Sequence, residues 1–436
     1  MSPPARRLIA IVTLVLAVAL IAVLTLRAFG VPIAIGPFAS ATPLPAPSAT
    51  LESSGGPSPD IEDLLATLDA DVADLRDLPP ANIAPAEFVS RAELEQRLAE
   101  QFAKDYPADE VAADNALLQG LGLLTAEQDV AALQLQLLSG QVLGYYDDVT
   151  QSMVIVTDAG LTPEAQVTYA HEYTHALQDA AFGIDSMELD VEGDDDGAFA
   201  RLALVEGDAT TVMVLWAIDH LRAEDLLEIS QTPLPDTTGV PDWMLRQLEF
   251  PYLAGTDFVA QLYASGGFAA VDEAWADPPV STEQVLHFRA YVDDELPVVV
   301  PEMDPDVRAL GVDIVEDTTL GEAMIAIWLT HLGVDPADCS PIEPGSVPRD
   351  CEATQAAAGW GGDRVTALVS PSGEVAVVLR IAWDAPVDAD EFEAAYADAL
   401  EALPLFGHLD RVSETEIVVT QASTQALAET LVGEPL

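Results

Sequence analysis

The chain has 436 residues, with 16 Lys and Arg against 74 Asp and Glu and a formal charge of −58 at neutral pH. A field of that sign excludes a nucleic-acid binder that works through phosphate contacts. Half of the residues are apolar, enough to bury a large core in more than one domain, which excludes global disorder.

Residues 1 to 60 hold three basic and two acidic residues, so the acid excess belongs to the remainder, and Lys104 is the single lysine. Adaptation to high salt and base-biased coding explain this equally well. At low ionic strength the surface should repel anionic membranes and acidic substrates.

The uncharged run 8 to 26, preceded by Arg6 and Arg7 and followed by Arg27, has the length of a membrane-crossing helix. It predicts an N-terminal anchor over residues 1–27 and a single-pass protein of the cell membrane, with everything beyond residue 27 outside the cytoplasm. Ala39-Ser40-Ala41 has the small-x-small form of a signal-peptidase site, and cleavage there would give a secreted protein. Residues 28–60, rich in Pro, Ser and Gly, read as a tether.

Residues 61–140 repeat apolar positions at helical spacing, with breaks at Pro79-Pro80 and Pro107, and predict a helical lead-in. The segment 141–157 changes to strand-like alternation around Asp147-Asp148-Val149-Thr150, a hairpin signal. Thr162 as N-cap, Pro163 in the first turn, Glu164 beside the dipole and Gly183 as terminator delimit the next helix. A second helix is expected over about 197–221, and further helices through 241–335. Cys339 and Cys351 bracket a Pro-containing loop, 336–352, where a disulfide is expected. Residues 353–436 alternate strands with a helix at 388–402 and read as a small α/β module. The whole is expected to be α+β and predominantly helical, with a small sheet beside the helix that starts at Thr162.

That helix carries His171-Glu172-Tyr173-Thr174-His175, the pattern HExxH. Positions four apart share a helix face, so His171 and His175 can bind one zinc ion while Glu172 reaches the attacking water as general base. The competing reading makes them polar residues of a core helix or the relic of a dead enzyme. A third ligand is needed, and Glu206 on the following helix is the first choice, with Asp208 and His220 as competitors. Oxyanion donors are sought in His287 and Tyr291, then Tyr145, Tyr146 and Tyr173; His287 leads, though a structural histidine bonded to backbone is at least as strong a reading. The run from Asp190 to Asp196 could bind calcium but lacks the spacing of an EF-hand loop, and reads better as a solvated acidic loop.

HEYTHALQDAAF followed by ALVEGDAT resembles the gluzincin branch of the zincin metallopeptidases, in which HExxH and a downstream glutamate bind zinc. The chain is most similar to a group of membrane-attached bacterial members, over roughly residues 85–395, through GYYDDVTQSMVIV, PPVSTEQVLHFRAY and GWGGDRV as well. The resemblance implies a zincin-like catalytic domain over 141–335, zinc as cofactor, and a peptide or protein substrate. It also implies an edge strand before the HExxH helix that pairs with substrate, for which 152–157 is the candidate, ordinary sheet packing being an equal reading. Where the family places an acid four residues after the zinc-binding glutamate, this chain has Thr210, with Asp208 the nearest acid. The alternative to an enzyme is an inactive zincin-fold scaffold at the cell surface.

Overall fold

The computed structural model describes residues 12–14, 59–157, 160–229, 237–303, 307, 310–334, 351–400 and 403–432. In chain order the elements are β1 (Val12–Leu14), α1 (Pro59–Arg76), β2 (Glu87–Val89), α2 (Arg91–Asp105), α3 (Ala108–Gly120), α4 (Val130–Gln141), β3 (Val142–Asp147) and β4 (Ser152–Val156). Next come α5 (Pro163–Phe182), α6 (Asp195–His220), α7 (Ala223–Ile229), α8 (Asp242–Gly266), α9 (Phe268–Ala276), α10 (Thr282–Leu286) and α11 (Phe288–Val292). The chain continues through β5 (Asp313–Thr318), α12 (Gly321–His331), α13 (Glu352–Ala357), β6 (Trp360–Val369), β7 (Val375–Trp383), α14 (Pro386–Leu400), β8 (Phe406–Arg411), β9 (Glu416–Ala422) and α15 (Gln425–Leu431). The fold is α+β and mainly helical, as expected.

Among the described residues, two sheets organise it. The first has the order β1-β3-β4-β2, with β3 and β4 an antiparallel hairpin, β1 antiparallel to β3, and β2 parallel to β4. The second is antiparallel throughout, in the order β5-β6-β7-β9-β8. One core gathers the apolar faces of α1, α5, α6, α8 and α9 with Tyr146, Met153 and Ile155 of the first sheet. Another joins α2, α3, α4 and α12 to β6, β7, β9 and α14. The helical lead-in is thus shared among these two cores and a smaller one, in which Leu94 and Leu98 of α2 pack on Val89, Val142 and Val154. Strand β5, from the stretch expected to be helical, is an edge strand of the C-terminal sheet.

Two expectations are corrected. The apolar run 8–26 does not give a membrane helix among the described residues, where no helix is long and apolar enough to cross a membrane. Val12–Leu14, inside that run, instead pair with β3; aliphatic residues add to a sheet edge as readily as they form a helix, and run length alone does not separate the two. The single-pass location and the membrane contact built on that span fall with it. The rest of the run and the tether up to residue 58 lie outside the described residues. The second correction concerns 152–157: β4 is an inner strand, because β2 pairs along it from Val154 to Val156 and Thr157 N–H donates to Val89 O at 3.0 Å. The edge expected there is taken by the chain's own residues 87–89.

Cys351 is disulfide-bonded. The only other cysteine, Cys339, lies outside the described residues.

Candidate metal centre

Helix α5 begins where its capping residues dictate. Thr162 Oγ1 accepts from Ala165 N–H at 3.2 Å, Pro163 opens the first turn, and Gly183 ends the helix at φ 77°, a conformation that costs glycine little. Helix α6 is capped by Asp194, whose carboxylate accepts from Gly197 N–H at 3.1 Å. The two helices pack side by side. Gly207, next to Glu206, lets α6 approach α8 closely: a Cβ there would fall 2.3 Å from the backbone of Gly255, and one on Gly255 would fall 2.0 Å from Ala203 O. An alanine at either position would force the helices apart and carry Glu206 with them.

This packing brings the expected ligands together. His171 Nε2 lies 3.2 Å from Glu206 Oε2, His175 Nε2 lies 3.5 Å from the same oxygen, and the two imidazole Nε2 atoms are 3.0 Å apart. Three donors at tetrahedral corners, ~2.0–2.1 Å from a zinc ion, would sit about 3.3 Å from one another. The observed triangle has that size. His171, His175 and Glu206 are also the only group of three or more His, Cys, Asp or Glu among the described residues whose ligand atoms converge in this way.

The donor chemistry fits a cation. Glu206 Oε1 and His171 Nδ1 are buried without a hydrogen-bond partner, and a buried carboxylate oxygen is costly unless a donor or a cation meets it. Burial works against ionisation of Glu206, yet His175 and His171 bring its pKa down to about 2. Burial pushes His171 down, whereas His175, opposed by burial, is drawn up to about 9 by Glu206. The cluster holds an anionic carboxylate, whose charge the His175 ring meets.

The amide of Gln178 settles the tautomer of His175. Gln178 Nε2 donates to Val205 O at 3.0 Å and to Asp208 Oδ2 at 3.1 Å, both of them acceptors, so its oxygen must face His175. His175 Nδ1, 2.8 Å from that oxygen, therefore carries a hydrogen, and in the neutral ring Nε2 is a bare lone pair aimed at the ligand triangle.

Glu172 is fully buried beside His171, and its charge acts on His175. Asp208 is no ligand: it accepts from Gln178, from Arg76 Nε at 2.8 Å and from Trp275 Nε1 at 3.3 Å. His220 is engaged elsewhere, with Nε2 3.2 Å from Asp71 and its ring stacked on Trp216. His287, half exposed, places Nε2 2.8 Å from Glu322 Oε1 and is not part of the converging group. Tyr291 donates to Asp277 O, Tyr146 donates to Asp179, and Tyr173 stacks on Tyr169. The acidic run near 190 is dispersed: Asp194 caps α6 and pairs with Arg201, while Asp196 accepts from Thr282.

Sequence reasoning missed Gln178, Arg76 and Tyr252. Gln178 shares the ligand face at i+3 from His175, a readable signal. Tyr252, buried on α8, has its ring centroid 6.3 Å from that of His171, and no local motif marks it.

A family model described as a domain of unknown function (DUF8575) matches residues 309–431, the stretch from just before β5 to the end of α15, and leaves the ligand triangle outside. No curated protein and no solved structure matches the chain.

Proposed function

We propose that this protein is a zinc-dependent peptidase of the gluzincin type, in which His171, His175 and Glu206 hold the ion and Glu172 is the general base. The observation that carries the reading is the ligand triangle, with sides of 3.0, 3.2 and 3.5 Å. When bound, zinc would supply a Lewis acid for the scissile carbonyl and lower the pKa of its water to roughly 7. The chain's own residues do the rest. Glu206 and the two imidazoles fix the ion between α5 and α6. Glu172 takes a proton from the attacking water and returns it to the leaving amine nitrogen. For the oxyanion, His287, held by Glu322, is the donor carried over from the sequence, and Tyr252 beside His171 is its rival. His287→Ala and Tyr252→Phe separate them, because loss of the true donor lowers kcat by roughly 10²–10³-fold.

A second reading, a scaffold that holds zinc as a structural ion, is favoured by one observation: His171, His175 and Glu172 are 0 % exposed and Glu206 1 %. Glu172→Gln distinguishes the two. The peptidase reading expects zinc-dependent cleavage of a peptide library by the parent chain and its loss in the variant with zinc retained. The scaffold reading expects no cleavage by either.

A further inference from the structure

Helix α1 lies 95 residues before His171 at its last residue, Arg76, and nothing in the HExxH pattern calls for it. Yet Arg76 is fully buried and reaches the metal centre through two intermediaries. Its Nε donates to both oxygens of Asp208, at 2.8 and 3.1 Å. Asp208 Oδ2 accepts from Gln178, whose oxygen faces His175 Nδ1 at 2.8 Å. Asp272, from α9, lies 2.8 Å from Arg76 Nη2, and the ring of Phe268 sits under the guanidinium at 4.6 Å. Asp69 and Asp71 tie the same helix to Tyr169 of α5 at 2.7 Å and to His220 of α6 at 3.2 Å.

We propose that the chain Arg76, Asp208, Gln178, His175 is a positioning relay for the metal ligand, so that α1 is a working part of the site. The inference rests on the zinc reading above. Each link constrains the next. The guanidinium, which has only donors, holds Asp208 as a carboxylate acceptor. That acceptor, with Val205 O, orients the Gln178 amide. The amide oxygen keeps the hydrogen on His175 Nδ1 and leaves Nε2 for the ion. Outer partners of a histidine ligand act in this way, and their loss costs roughly 10–100-fold in metal affinity. Trp275, donating to the same Asp208 oxygen, fixes the carboxylate from a third side.

The test uses the 436-residue chain with Gln178→Met, Asp208→Asn and the double variant. Zinc affinity is measured by competition with a chelating dye, and the hydrogen-bonded His175 Nδ1–H is followed by NMR with and without zinc. Gln178→Met keeps side-chain volume and the Arg76–Asp208 pair, so it tests the relay even if Asp208→Asn does not fold. The relay predicts roughly 10–100-fold weaker zinc binding in each single variant and no further loss in the double, because both cut one path. It also predicts loss of the sheltered Nδ1–H signal in Gln178→Met, a result read without any metal. Unchanged affinity and an unchanged signal in Gln178→Met overturn the relay, as do losses that add in the double variant. A parent chain that binds no zinc removes the peptidase reading instead, and the Nδ1–H signal alone then decides the relay.

Discussion

Two buried polar clusters lie on α6, ten residues or about 15 Å apart along the helix, and they handle charge in opposite ways. Around Glu206, three ligand atoms point at one another across 3.0 to 3.5 Å, and the Nδ1 hydrogen of His175 faces away from them toward Gln178. Around Asp196, the acidic groups accept from separate donors, with Glu322 Oε2 left without one. Thr282 gives Asp196 its N–H and its hydroxyl, Leu320 and Gly321 N–H and Trp360 Nε1 hold Asp363, and His287 holds Glu322. In a chain with 74 acidic residues, a count of nearby carboxylates says little about metal binding. Convergence of three ligand atoms on one point is what separates the first cluster from the second.

The contrast breaks most sharply at Glu172. Replacing it with Gln should lower peptide turnover by roughly 10²–10⁴-fold while bound zinc, measured by elemental analysis, stays at the parent level. Next in size is Arg76→Met, which leaves Asp208 and Asp272 without their buried cation. Denaturant titration should show a loss of about 3–5 kcal/mol, because one partner of a buried pair is left uncompensated.

The second cluster should respond to pH and not to metal. Burial, with Asp363 adding to it, lifts Asp196 to about 8 even though Thr282 pulls the other way. The folded state therefore keeps a proton that the unfolded chain, with a pKa of about 3.9, gives up. Its contribution is complete below pH ~4 and disappears as pH rises to about 8, at up to about 1.4 kcal/mol per pH unit. Asp196→Asn should flatten that slope in urea midpoints measured from pH 5 to 9, with zinc content unchanged. A steep slope remaining in the variant would assign the titration to another group. The smallest effect belongs to Thr162→Ala, which removes the cap of α5 and should cost about 1 kcal/mol without altering zinc stoichiometry.

What could be read in advance was local. Thr162, Pro163 and Gly183 delimit α5 through capping chemistry that acts within one turn, and His171 and His175 share a face because four residues make about one turn. Glu206 was accessible once two helices were taken to return antiparallel. The pieces that stayed hidden depend on distant partners. Residues 87–89 join β4 in parallel across more than sixty residues. Asp313–Thr318 and Phe406–Arg411 are exposed edge strands whose acidic and glycine residues blur the alternating pattern. Arg76 meets Asp208 132 positions away. The apolar run at 8–26 misled because run length alone does not separate a membrane helix from a strand, and Val12–Leu14 pair with β3.

The most direct measurement is zinc K-edge X-ray absorption on the 436-residue chain loaded with one equivalent of zinc. The account predicts tight uptake of one ion, with two imidazole nitrogens at about 2.0–2.1 Å and an oxygen-only remainder. Both imidazole contributions should vanish in a His171→Ala, His175→Ala double variant. Failure to take up zinc, or a coordination shell that keeps its imidazoles in that variant, would contradict it.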